Sequence, residues 1–282
     1  MEVGGSALVT GASRGIGRAI AVELANRGFE TTAGMRNPAD GKDLAGSVNG
    51  TLSVARMDVT DPSSFDIPRD LRVLVNNAGV DSEYLPVEHF NIDDWRTLFE
   101  TNVLGTVSVT AAAIPALRAN GPAVVCNITS SSILASVPFY SAYRATKAAV
   151  SAFGDTLRVE LAPFGIRVVE IMPGPIDTDM FRLSTGEQVA SRFGLYRRMS
   201  EVAAELRLEH ADPMVAPPAD AASLIVDAIL DDSGPMRYGC DPLSVGFLDL
   251  WRQSDDETMF AMTGQSMLDL VGPDGSAEVG PG

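Results

Sequence analysis

The chain has 282 residues, 45% hydrophobic and 21% charged, an ordinary globular composition with enough material to bury a sizeable core. Lys plus Arg number 21 against 37 for Asp plus Glu, a net charge of −16, which argues against a partner held by bulk attraction to nucleic-acid phosphates or anionic lipids. Cys126 and Cys240 lie far apart without CxxC spacing and the only histidines are His89 and His210, so neither a disulfide framework nor a Cys/His metal site is expected.

The opening stretch MEVGGSALVTGAS carries Glu2 where a secretory signal would carry bases, and it has no long apolar region. The longest uncharged stretches, 101–117 and 119–143, are broken by Pro, Gly and many small polar residues and do not resemble membrane spans. These features predict a soluble cytoplasmic protein with reduced thiols. Short runs rich in Val, Ile and Leu then recur at 6–10, 29–35, 52–57, 72–75, 123–128 and 166–172, each followed by a longer segment read as helical. Continuous rather than alternating hydrophobicity fits strands covered on both faces, so the expected fold is α/β, a doubly wound parallel sheet with helices on both sides. No repeat or linker divides the chain, which predicts one domain over 1–271 and a disordered tail, GPDGSAEVGPG, over 272–282.

Chemistry begins in the first strand-to-helix turn, where Thr10, Gly11, Ala12, Ser13, Arg14, Gly15, Ile16 and Gly17 open a helix expected to run to about Arg27. Glycines at 11, 15 and 17 permit a tight turn and close approach of a pyrophosphate, and the helix N-terminus offers unpaired N–H groups to it. Three more segments follow the later strands: Asn76-Asn77-Ala78-Gly79, Tyr143-Arg144-Ala145-Thr146-Lys147 and Pro173-Gly174-Pro175-Ile176-Asp177-Thr178. In an open parallel sheet ligands bind beyond the carboxyl ends of the strands, so these segments are expected to converge on the glycine turn.

In the order and spacing of these motifs, from about Ser6 to Gly239, the chain resembles the short-chain dehydrogenase/reductase family, in its short branch built on a single Rossmann-type domain. The resemblance implies a catalytic tetrad of Asn102 in TNVLG, Ser130 in NITSSS, and Tyr143 and Lys147 in YRATK. Ser130 is preferred to Ser131 and Ser132 because it stands thirteen residues before Tyr143, as the family usually has it. The resemblance also implies a nicotinamide cofactor held by Gly11, Ser13, Arg14, Gly15, Ile16, Gly17, Asp58, Val59, Asn77, Ala78, Gly79, Pro173, Gly174, Ile176 and Thr178, with Tyr143 and Lys147 reaching its nicotinamide end. Asn102 would fix a water linking the lysine to solvent.

Physical chemistry supports these roles. Tyr143 and Lys147 stand four apart, on one face of a helix. An ammonium and an oxidised nicotinamide both favour phenolate, so Tyr143 can pass a proton to a carbonyl being reduced or take one from an alcohol. Ser130 would stabilise alkoxide charge on the same oxygen. For the cofactor, users of NAD place an acid about twenty residues beyond the glycines to bind the ribose 2′-hydroxyl. Here Gly34, Met35 and Arg36 occupy that end of the second strand, and Arg36 with Arg14 offers guanidiniums for a 2′-phosphate, predicting NADP(H) in preference to NAD(H).

One departure from the family is plain. Between Val59 and the strand at 72–75 only TDPSSFDIPRDL intervenes, where a full crossover helix is usual, and Pro62 and Pro68 confine any helix there to about one turn. His89 and His210 receive no role, Trp95 is expected to pack its helix, and Cys126 to be a buried strand residue. The expected activity is hydride transfer between NADP(H) and a small-molecule carbonyl or alcohol. The apolar Met180, Phe181, Leu183, Phe193, Leu195, Tyr196 and Met199, in a lid over about 180–217, suggest a bulky hydrophobic ketone or aldehyde. Alternatives are an NAD-dependent alcohol dehydrogenase of the same fold and a nucleotide-sensing regulator without turnover. Apolar residues on more than one face of the helix carrying Tyr143 suggest a homodimer or homotetramer.

Overall fold

The computed structural model describes residues 1–44, 46–184, 189–265, 269 and 271. The tail expected at 272–282 lies outside the described residues. Seven strands, β1 (Ser6–Thr10), β2 (Glu30–Met35), β3 (Leu52–Arg56), β4 (Leu71–Asn76), β5 (Ala123–Ile128), β6 (Ile166–Ile171) and β7 (Arg237–Tyr238), form one parallel sheet in the order β3-β2-β1-β4-β5-β6-β7. Six are the apolar runs of the sequence. The seventh is only two residues long, too short to leave a hydrophobic period.

Successive strand side chains point to opposite faces, and the two cores divide accordingly. Helices α1 (Gly15–Arg27) and α7 (Pro218–Leu230) cover one face, where Ile20, Leu24, Ile225 and Ile229 meet Val9, Val75 and Val169. The other face is covered by α3 (Thr106–Ala119) and α4 (Ser141–Leu161), whose Val109, Leu117, Leu157 and Leu161 meet Leu8, Leu74, Val125 and Val168. Helix α1 ends where expected because Gly28 adopts φ 104°, a left-handed conformation that lets its N–H reach back to the carbonyls of Leu24 and Ala25.

Two crossovers lack a full helix. The β3–β4 connection holds a single 3-10 turn, Pro62–Ser64, as its prolines predict. The expectation of a helical segment after every strand fails for β2–β3, whose described residues form only the turn Pro38–Gly41. There Asn37 accepts a hydrogen bond from the Ala39 N–H (3.2 Å), and Pro38 with Gly41, Gly46 and Gly50 carries turn rather than helix chemistry. Ser53 and Arg56 of β3 are accordingly exposed.

Helix α2 (Ile92–Phe99), a π-helical turn over Glu100–Gly105 and α3 run on as one rod, 92–119, long and apolar enough by length and composition to cross a membrane. Its inner residues Leu98, Asn102, Thr106, Val109 and Ala113 are buried within the protein. Trp95 packs this rod as expected, stacked on Phe99 with edge contact to Phe90. Beyond β6 come α5 (Asp179–Ser184), α6 (Arg197–His210) and α7, and after β7, α8 (Pro242–Gln253) and α9 (Asp256–Phe260). Cys126 is buried in β5.

Candidate active site

The glycine turn and the end of β4 are stitched together over the carboxyl edge of the sheet. The Thr10 hydroxyl oxygen accepts the N–H groups of both Asn77 and Ala78 (3.0 Å each), and the Asn77 amide donates to the carbonyls of Thr10 (2.9 Å) and Gly11 (3.1 Å). A Cβ on Gly11, at φ 65°, would stand 2.7 Å from the Ala78 Cα, and one on Gly17 would stand 2.2 Å from the Asn77 Nδ2. These glycines are therefore dictated by close approach of two backbones. Gly15, at φ 58°, faces Thr178, whose methyl would lie 3.2 Å from an added Cβ, so the turn after β6 meets the start of α1 as the motif order predicts. Arg14 starts α1 without a side-chain cap bond, leaving the first N–H groups of the helix available to an anion.

The remaining cofactor candidates surround this cradle. Arg36 is exposed at the end of β2 and has no ion pair among the described residues, whereas Arg14, also exposed, lies 3.6 Å from Asp179. Asp58 is half-buried and bonded to the Thr60 N–H (3.0 Å) and hydroxyl (2.9 Å), and Val59 is buried against Gly105. Ile176 bridges to Ala216 in a short parallel pairing. Pro173 accepts the Ser131 N–H (2.8 Å), and the Gly174 N–H donates to the Asp241 carboxylate (2.7 Å).

All four tetrad candidates come together. Tyr143 and Lys147 occupy the first two turns of α4, with the Lys147 ammonium 5.6 Å from the centre of the Tyr143 ring. Of the three serines it is Ser130 whose hydroxyl acts on the Tyr143 phenol, lowering its pKa; the same hydroxyl accepts the Ser132 N–H (3.2 Å), Ser131 is buried, and the Ser132 hydroxyl is buried with no partner among the described residues. The Lys147 ammonium donates to the Ile128 carbonyl at the end of β5 (3.0 Å). Asn102 sits in the π-helical turn, a distortion often found at functional sites. Its amide oxygen accepts the Val80 N–H (2.8 Å), and its amide nitrogen donates to the Val80 carbonyl (2.9 Å) and the Thr146 hydroxyl (3.1 Å). The side chain thus clamps the loop after Gly79 to α4, and a Cβ on Gly79 would stand 3.4 Å from Asn102 Oδ1 and 3.5 Å from Lys147 Nζ.

Burial dominates the electrostatics. It pushes the Lys147 ammonium down to about 8 from an ordinary 10.5, with the Asp81 charge opposing. Burial also pushes the Tyr143 phenol up, the Asp81 charge pushes it the same way, and the Ser130 hydroxyl opposes both. Among the protein's own groups, burial and Asp81 outweigh what favours the phenolate. Asp81 is itself raised by burial, against hydrogen bonds from the Tyr84 hydroxyl and the Ser82 N–H and the charge of Lys147.

Asp81, Tyr84 and Tyr140, the last two stacked with ring centres 4.1 Å apart, are site residues that the motif search missed. Asp81 stands two residues past Gly79, and proximity to that strand-end loop was the available signal. Beside the first turn of α4 opens a cavity of about 500 Å³, lined by Leu85, Val87, Val137, Phe139, Tyr196 and Met199 among others. Of the residues expected in a lid, Tyr196 and Met199 reach it, Leu195 is 81% exposed, Met180 is exposed, and the Leu183 side chain lies outside the described residues. His89, given no role from the sequence, stacks on Phe193 at 3.8 Å and joins the segment before α6 to the 87–89 turn.

A dinucleotide-type glycine turn at the switch of a doubly wound sheet, facing a Ser-Tyr-Lys cluster, defines an α/β oxidoreductase scaffold. The short chain dehydrogenase family profile matches residues 6–188, and the chain belongs to that family. It is 38% identical over 196 residues to the uncharacterized oxidoreductase YusZ of Bacillus subtilis (63% of this chain, 67% of that one). It is 34% identical over 189 residues to an NADPH-dependent 3-dehydrocapnine reductase of Ornithobacterium rhinotracheale (62% and 66%). Among solved structures, a short-chain dehydrogenase of Burkholderia cenocepacia in complex with NADP superposes with a TM-score of 0.72 at 25% identity, covering 93% of this chain and 98% of that one.

Proposed function

We propose that the protein transfers hydride between NADP(H) and a bulky hydrophobic ketone or aldehyde, in preference to NAD(H). The observation that carries this is the Ser130–Tyr143–Lys147 cluster beside the glycine turn. When bound, the nicotinamide supplies the hydride. The protein's part is positional. The turn of Gly11 to Gly17 and the α1 N-terminus suit a pyrophosphate, because Gly11 and Gly17 let the turn pack against Asn77 and Ala78 and the first N–H groups of α1 have no side-chain cap. Arg36, exposed and without an ion pair among the described residues, suits a 2′-phosphate. The NADP of the Burkholderia cenocepacia structure and the NADPH dependence of the Ornithobacterium rhinotracheale reductase support the same choice.

Ser130 holds the carbonyl oxygen and Tyr143 delivers a proton to it as charge develops there. Lys147, fixed by the Ile128 carbonyl, holds its ammonium 5.6 Å from the centre of the Tyr143 ring, and Asn102 holds the loop that keeps both in place. The apolar walls of the cavity, with Tyr196 and Met199 from the lid region, favour a hydrophobic substrate. The expected assembly is a homodimer or homotetramer, consistent with Val159, 75% exposed on the outer side of α4. The test is NADPH consumption across a panel of ketones and aldehydes. Wild type should turn over hydrophobic members, and Tyr143→Phe should abolish turnover while keeping NADPH affinity. Near-normal rates in Tyr143→Phe would remove Tyr143 from the proton path.

A further inference from the structure

The wall of the proposed substrate cavity carries one cation, which the proposed reaction does not use. Arg144, immediately after Tyr143, lines the cavity and is half-buried. One guanidinium N–H donates to the Ile133 carbonyl (3.1 Å), and no carboxylate lies within 4 Å of the group among the described residues. A guanidinium offers five N–H donors, so a single backbone acceptor leaves most of them unused. Burial lowers the Arg144 pKa and no neighbouring charge offsets it, the mark of a cation partly taken out of water without a counter-ion.

A second polar group at the same wall is also unsatisfied. The Ser141 hydroxyl, one turn of backbone before Arg144, is buried and has no hydrogen-bond partner among the described residues. Phe139, between this serine and the Val137–Pro138 wall, is held at φ 69°, a left-handed conformation costly for a bulky residue and characteristic of functional sites. The nearest acid on the cavity wall, Glu88, is engaged by the Tyr196 hydroxyl (2.8 Å). None of the residues assigned above to the cofactor lines this cavity, so the unused donors lie away from the cofactor phosphates, and Arg144 follows Tyr143 directly in the first turn of α4.

Resting on the carbonyl-reductase reading, we infer that the substrate is an amphiphilic oxo acid: an apolar body carrying a carboxylate that Arg144 binds, with the Ser141 hydroxyl donating to the same group. A planar carboxylate matches the free edge of the guanidinium, and the surrounding Leu85, Val137, Phe139 and Met199 cover the apolar part. The cavity then sorts carbonyl compounds by charge as well as by bulk, and a neutral analogue leaves a buried cation unpaired.

The test uses matched probes and two readouts. The first is NADPH-dependent reduction of 4-carboxybenzaldehyde and of its methyl ester. The second is calorimetric binding, with NADP present, of the non-reducible pair 4-tert-butylbenzoate and 4-tert-butylbenzamide. Wild type should favour the acid of each pair by roughly tenfold to a hundredfold, the usual worth of a charged hydrogen bond. Arg144→Gln should erase that preference mainly through KM and Kd for the acids, and Arg144→Lys, which keeps the charge but not the fork, should restore part of it. Circular dichroism and the unfolding midpoint establish that both variants fold. Turnover without acid preference in either pair overturns the inference and leaves the reductase reading standing. Absent turnover with an Arg144-dependent preference in binding supports the anion site and overturns the reductase reading instead. Equal losses for acid and neutral probes in folded Arg144→Gln also overturn the inference.

Discussion

Asp241, at the start of α8, accepts the backbone N–H of Gly174 at 2.7 Å, joining the loop after β6 to a helix that begins past the end of the family match at residue 188. The carboxylate is 2% exposed and also caps α8, taking the Ser244 N–H (2.9 Å) and hydroxyl (2.6 Å). A Cβ on Gly174 would lie 2.5 Å from it, so glycine here is dictated by the clamp. Asp241→Ala removes a helix cap and strands a buried amide, costing about 2–3 kcal/mol in urea unfolding. It should also weaken NADPH binding, since the proposed nicotinamide-side loop loses its anchor. An unchanged unfolding midpoint would show that the loop is held by other contacts.

The strands, the glycine turn and the Tyr143–Lys147 spacing were legible because each follows from a local pattern: continuous apolar runs, glycines at a helix start, and two residues four positions apart on one helix face. Asp241 was legible only as a helix start, through Asp241-Pro242 with Ser244, and nothing local ties it to Gly174 sixty-seven residues away. The same holds for Asp81, whose effect on Lys147 depends on how deeply both are buried. The absence of a β2–β3 helix is marked locally only by Pro38 and the glycines at 41, 46 and 50, which favour turns but do not by themselves exclude a helix between them.

Gly17→Ala is expected to fail at the cradle itself. The added methyl would meet the Asn77 Nδ2 at 2.2 Å and the Gly11 carbonyl oxygen at 2.6 Å, and backbone on one side leaves it little room. Overpacking of this kind costs about 1–3 kcal/mol, and displacing Asn77 would break its bonds to the Thr10 and Gly11 carbonyls. The variant should unfold at lower urea and bind NADPH more weakly; wild-type affinity would mean the turn adapts without moving Asn77.

Arg36→Ala separates the two cofactors. Loss of a charged hydrogen bond to a 2′-phosphate should weaken NADPH roughly tenfold to a hundredfold while changing NADH far less. Arg14 should contribute less, because it already faces Asp179 across an exposed 3.6 Å pair that solvent screens. Equal losses for both cofactors in Arg36→Ala would assign the 2′-phosphate to other groups.

Lys147 ties activity to stability. Its folded pKa of about 8 lies below the ordinary 10.5, so the folded protein binds that proton less tightly than the unfolded chain does. Stability therefore rises as pH climbs from about 8 towards 10.5, by about 2 kcal/mol between pH 7.5 and 9.5 at ~1.4 kcal/mol per pH unit. Tyr143, raised by burial above an ordinary 10.0, works in the opposite sense only above that pH. In Lys147→Met the rise is absent, so the stability of wild type relative to the variant should grow over this window. A difference independent of pH in urea titrations would show that Lys147 titrates alike in both states.

Asp81 should govern the pH profile without touching the reacting atoms. Its charge raises both Lys147 and Tyr143, and its own carboxyl is raised by burial against the Tyr84 and Ser82 hydrogen bonds. Carbonyl reduction needs Tyr143 protonated, so activity falls as pH rises through the phenol's pKa. Asp81→Asn keeps the hydrogen-bonding shape and removes the charge, which lowers the phenol's pKa and moves the alkaline limb of kcat/KM for reduction to lower pH. In the oxidative direction, where Tyr143 acts as base, the same change raises the rate near neutrality. Tyr84→Phe removes the hydrogen bond that stabilises the Asp81 carboxylate, so Asp81 ionises at higher pH and the variant should resemble Asp81→Asn at the acid end of the profile and wild type at the alkaline end. Superimposable profiles for wild type and Asp81→Asn would confine Asp81 to holding its loop.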